Sequence, residues 1–140
     1  MQAGYGAYKG KQAETNDQGK LIVVTYDVAI KHSKLALEIF DDKKQIEARV
    51  KHIFKVQDAL EELQESLNMD AGGEIAANLY NLYTFMFQST VDANIKNDKT
   101  LIEEVLRYLE TLRDAWAQAA VKAKAETAPQ MNFENMAFSG

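Results

Sequence analysis

Between Leu67 and Trp116 the chain reads LNMDAGGEIAANLYNLYTFMFQSTVDANIKNDKTLIEEVLRYLETLRDAW, two long segments whose apolar residues recur at helical spacing. In the first, Ile75, Leu79, Leu82 and Met86 fall at steps of three and four, and Ala76, Tyr80, Tyr83 and Phe87 repeat the pattern one position round. A single apolar stripe is enough to seat a surface helix on a core. With two, either the helix is buried nearly all round or one stripe serves something outside the chain. The sequence leaves both open, and function turns on which holds.

The rest of the chain follows the same logic. A first helix is expected from Asp17, a plausible N-cap, to about Phe40. Its one continuous polar stripe is Asp27, Lys31, Lys34 and Glu38, and Leu21, Ile22, Val24, Tyr26, Val28 and Ile30 are among the apolar residues filling the remainder. After Asp41-Asp42, with Asp42 and Gln45 spaced as a capping box, comes an ordinary amphipathic helix whose stripe is Ile46, Val50, Ile53, Phe54, Leu60, Leu63 and Leu67. Gly72-Gly73 reads as a turn before a third helix from Glu74 to Ile95. The fourth starts near Asp98 or Thr100 and runs to about Lys124, with the stripe Leu101, Val105, Leu109, Leu112 and Trp116. Pro129 follows as a stop signal. Short connections favour antiparallel neighbours, so the expected fold is all-α, an antiparallel up-down four-helix bundle in one domain spanning 1–140. Residues 1–16 would be a flexible arm, 17–124 the bundle and 125–140 a tail. The tail's Met131, Phe133, Met136 and Phe138 leave two options, disorder or folding back as a stand-in ligand.

Composition narrows the chemistry. With 16 basic and 21 acidic residues the net charge is −5, against a nucleic-acid surface, which needs a clustered basic face. It gives no reason to expect attraction to an anionic membrane. The absence of cysteine rules out disulfides and thiolate chemistry and suits a reducing cytoplasm. The opening stretch is polar and Gly-rich without an apolar signal core, and no apolar run approaches the ~20 residues of a membrane span. A soluble intracellular protein without membrane insertion is the expectation.

Enzymatic motifs are sparse. His32 and His52 stand on different helices without the Glu-x-x-His spacing of di-iron bundles or a two-His helical pair for zinc, so they read as lone surface residues. His52 with Lys55 three residues on resembles a phosphotransfer bundle, but Val56 stands where such bundles usually carry glycine. No phosphate-binding lysine loop follows a strand. No catalytic residue, cofactor or metal is expected.

Taken together, Gly72-Gly73-Glu74-Ile75-Ala76, Asn78-Leu79-Tyr80, Leu82-Tyr83, Ala93-Asn94, Asp98, Glu104-Val105 and Leu109-Leu112-Arg113-Ala115-Trp116 resemble the flagellar export chaperones of the FliS type. Upstream, Ala7-Tyr8, Lys20-Leu21-Ile22 and Tyr26-Asp27-Val28-Ala29-Ile30 fit the same family, so the likeness covers about residues 7–117. Two departures stand out. Asp17-Gln18 replaces the family's usual Ser-Pro, and Val28 replaces its usual glycine after Tyr-Asp, a residue large enough to alter how close a partner or neighbouring helix comes.

The resemblance implies a four-helix antiparallel bundle that binds the disordered C-terminal segment of flagellin in the cytoplasm. It implies further that the bundle prevents premature polymerisation and escorts flagellin to a component of the export gate. On that reading the surplus stripes form a groove, with Ile22, Tyr26, Ile30, Leu79, Tyr80, Tyr83, Phe87, Leu109 and Leu112 as the expected contacts. For each of them the alternative is plain core. The family's arm implies that Tyr8, with Tyr5 beside it, covers the groove when flagellin is absent. A histidine phosphotransfer bundle using His52 is the alternative function.

Overall fold

The computed structural model describes residues 15–125. Four helices run through them: α1 (Thr15–Glu38), α2 (Ile46–Glu65), α3 (Met69–Lys96) and α4 (Lys99–Ala125), with a single 3-10 turn at Lys43–Gln45 leading into α2. Cross-helix contacts fix their directions. From α1 to α4, Asp27 meets Arg113 at 2.8 Å and Lys34 meets Glu110 at 3.6 Å, and beyond the end of α1 Asp41 meets Lys99 at 3.1 Å. One number rises as the other falls, so α1 and α4 are antiparallel. From α2 to α3, Gln57 donates to Thr90 Oγ1 at 3.0 Å and Gln64 to Thr84 Oγ1 at 2.7 Å, again in opposite directions. The expected antiparallel four-helix bundle is what forms.

Each boundary has a local cause. Helix α1 is already running at Thr15, so Asp17 lies inside it and is not its N-cap. Asp42 Oδ1 accepts the Lys44 amide at 2.9 Å and Oδ2 accepts Gln45 Nε2 at 3.1 Å, closing the turn before α2. These two bonds hold the Asp42 carboxyl below its usual pKa. Asn68 caps α3 by accepting the Ala71 amide at 3.0 Å. A short helical turn then precedes the break expected at the paired glycines, which falls at Gly73 with φ 56° and ψ −132°. Asn97, left-handed at φ 53°, ends α3. Asp98, rather than Thr100, caps α4 by accepting the Thr100 amide at 3.0 Å.

Ile22, Ala29 and Ala36 on α1 are buried at seven-residue intervals, and four residues after each of them Tyr26, Ser33 and, just past the helix end, Phe40 are buried too. That repeat suits the shallow crossing of bundle helices, and its small members allow close approach. The main core joins Ile22, Tyr26 and Ala29 to Leu60, Leu63, Tyr83, Met86, Leu109 and Trp116. A smaller cluster of Ala36, Phe40, Ile53, Ala93 and Ile102 fills the end where α1 turns into α2. Of the stripe expected for α2, Ile53, Leu60, Leu63 and Leu67 are buried as expected, but the inward face also takes in residues outside it. Arg49, Val56 and Ala59 face inward, while Ile46 and Phe54 are exposed. No helix among the described residues is long and apolar enough to cross a membrane.

Candidate functional site: a furrow between α1 and α2

Along α1, Leu21, Val24 and Val28 follow each other at steps of three and four on the flank beside the buried stripe. Val24 is 55% exposed and Val28 41%. With Ala59 from α2 they make the apolar floor of an open furrow of ≈ 590 Å³ between the two helices. Its α2 side carries Asp58, Glu61, Glu62 and Glu65 against the single cation Lys55, so the rim is acidic. From Leu21 to Val28 the floor runs about 10 Å, two helical turns. That length matches anchors at i, i+3 or i+4, and i+7 of an incoming helix.

The nine expected contacts are placed unevenly. Ile22, Tyr26, Leu79, Tyr83 and Leu109 are buried. Ile30, Phe87 and Leu112 are half-buried and packed against the main core. Only Tyr80, 44% exposed, offers a broad free face. The two inner tyrosines meet across the bundle, Tyr26 Oη and Tyr83 Oη 2.6 Å apart. Burial holds both hydroxyls well above the ordinary phenol pKa, so they stay neutral; Tyr26 also takes a hydrogen bond with Trp116. Ion pairs from Asp27 and Lys34 to α4 cross the seam beside Ile30 and Leu112. The open furrow therefore lies one step round α1 from the expected set. Ala29, Ser33 and Ala36 carry the signal that separates the stripes, because the small residues mark the side on which helices approach. Phe85 and Tyr108, not among the expected contacts, form an exposed edge-to-face pair with centroids 6.2 Å apart on α3 and α4. Tyr5, Tyr8 and the tail lie outside the described residues.

The histidines are not lone residues. His32 Nδ1 and His52 Nδ1 lie 2.9 Å apart across the same α1–α2 seam. Burial first, then the charges of His52, Lys31 and Lys55, lower the His32 pKa. Among the described residues no three His, Cys, Asp or Glu side chains gather as a metal site.

Residues 1–123 match the family model described as flagellar protein FliS. The flagellar secretion chaperone FliS of Bacillus subtilis (strain 168) is 32% identical over 119 residues, covering 85% of this chain and 87% of the relative. The protein of the same name from Salmonella typhimurium is 37% identical over 95 residues, 68% of each chain. That of Campylobacter jejuni is 31% identical over 117 residues, 81% of this chain and 88% of the relative. A bundle of four antiparallel helices, with the family pattern running from the first residue to the last full turns of α4, belongs to the FliS family of flagellar secretion chaperones.

Proposed function

We propose that this chaperone acts in the cytoplasm on flagellin, binding its disordered C-terminal segment, preventing early polymerisation and delivering it to a component of the export gate. It does so without catalysis. The observation that carries the reading is the α1–α2 furrow, an apolar strip two turns long left uncovered by the described residues of the bundle. An amphipathic flagellin helix seats its apolar face on Leu21, Val24 and Val28, with cations on its flanks set against Asp58, Glu61 and Glu65. Val28, standing at the family's usual glycine, makes the furrow shallower and favours a partner with small residues at the crossing. Tyr80 and the half-buried Phe87 and Leu112 extend the contact surface, while Ile22, Tyr26, Ile30, Leu79, Tyr83 and Leu109 supply the wall behind it. Ordering a segment on binding consumes ~2–5 kcal/mol of the gross gain, which suits cargo that must later be released.

Titration calorimetry of the full chain with the C-terminal segment of flagellin tests the proposal. A saturable complex with a negative heat-capacity change is expected. No heat and no co-elution on size exclusion would overturn it.

A further inference from the structure

At the opposite end of the α1–α2 pair, away from the furrow, Arg49 is 3% exposed. Its guanidinium lies 4.5 Å above the Phe40 ring, and Nε has no hydrogen-bond partner among the described residues. No described carboxylate pairs with it. Asp41 lies close by but is engaged with Lys99 at 3.1 Å. Arg49 lines an open cavity of ≈ 360 Å³ together with Phe40, Asp41, Lys43, Ile46 and Asn97. A desolvated cation without an anion is strongly unfavourable, and a stacked ring offsets only ~2 kcal/mol of that. A methionine or leucine would fill the same space without the penalty.

The geometry points to a binding site for a carboxylate on an apolar stem, presented by a partner polypeptide. Phe40 occupies one face of the guanidinium, so the planar donor edge is what remains to receive a ligand. That edge matches a carboxylate in two parallel hydrogen bonds. Lys43 adds a second cation at the mouth, and Phe40 and the exposed Ile46 suit the aliphatic stem of an acidic residue or a chain end better than a free inorganic anion. The site is separate from the furrow, so cargo and this second ligand bind together.

The test is side-chain NMR of the Arg49 Nε–Hε resonance in the full chain, titrated with four probes. These are acetyl-Leu-Glu-Leu-amide, acetyl-Leu-Gln-Leu with a free terminus, acetyl-Leu-Gln-Leu-amide, and inorganic phosphate. A saturable shift with one of the two carboxylate peptides, absent with the uncharged one, is the expected result, and the peptide that binds names the source of the carboxylate. Arg49→Met should weaken that binding at least tenfold and the exposed Lys43→Gln several-fold, each read from amide shifts around the cavity. The site is refuted if no probe shifts Arg49, if the uncharged peptide shifts it equally, if phosphate alone does so as an adventitious ion only, or if Arg49→Met binds as the parent does. If Arg49→Met fails to fold, the native titration and Lys43→Gln decide.

Discussion

Tyr83 shows how much one side chain can be asked to do. It is buried and its hydroxyl meets that of Tyr26 at 2.6 Å, joining α1 to α3 across the bundle. Tyr83→Phe should reduce stability by about 1 kcal/mol, the net worth of a buried hydrogen bond. Tyr83→Ala should reduce it by about 3–5 kcal/mol through the cavity left behind. Urea denaturation of both variants checks this; equal losses would mean the hydroxyl pair carries the contribution assigned to packing. His32 adds a pH dependence. Its folded pKa lies below the unfolded value, so as pH falls below about 6.5 the unfolded chain takes up the proton first and stability drops. Above that pH both states are neutral and the group contributes no slope. His32→Gln should flatten the loss of melting temperature between pH 7.5 and 5.5 relative to the parent, as measured by circular dichroism. Parallel curves would remove the histidine pair as the cause.

The elements themselves were largely readable in the sequence. Apolar spacing, the cap residue Asp42 and Asp98 as one of the two starts considered for α4 bring the helices close to their observed ends, because local hydrogen bonding sets those ends. Helix α3, however, starts at Met69, capped by Asn68, rather than at Glu74. The furrow was not readable in the same way. The stripe containing Ile22 and Tyr26 and the one containing Leu21, Val24 and Val28 are equally periodic, and only packing against the other helices selects the first for the core. Arg49 escaped for a related reason. A charged residue on an amphipathic helix reads as solvated surface, whereas the Phe40 ring holds it inside. At the start of α3 the sequence and the structure agree on a break, and Gly73 explains it. With φ 56° and ψ −132° it occupies a region closed to side-chain-bearing residues, while a Cβ there would meet nothing within 4 Å. Gly73→Ala should therefore be destabilising by about 1–3 kcal/mol from backbone strain alone. A thermal shift near zero would show that the helix straightens through the break.

For the whole molecule, both apolar stripes on α3 send residues into the core and leave others outside it. Ala76, Leu79, Tyr83 and Met86 enter the core, while Tyr80 stays exposed, as does Phe85, which pairs with Tyr108. The same division on α1 leaves Val24 and Val28 open on the furrow floor. The described residues thus fill the core and still leave apolar flank exposed beside it. Binding at the furrow makes a sharp demand, because Val24 and Val28 on its floor are exposed and can be changed without disturbing the core. The decisive measurement is the dissociation constant for the C-terminal segment of flagellin with Val24→Asp, compared with the parent and with Tyr80→Asp. Helical circular dichroism should be unchanged in both variants. Val24→Asp should weaken binding at least tenfold, since it places a charge under the apolar face of the docked helix and beside an acidic rim. An unchanged constant with Val24→Asp would contradict the furrow as the cargo site.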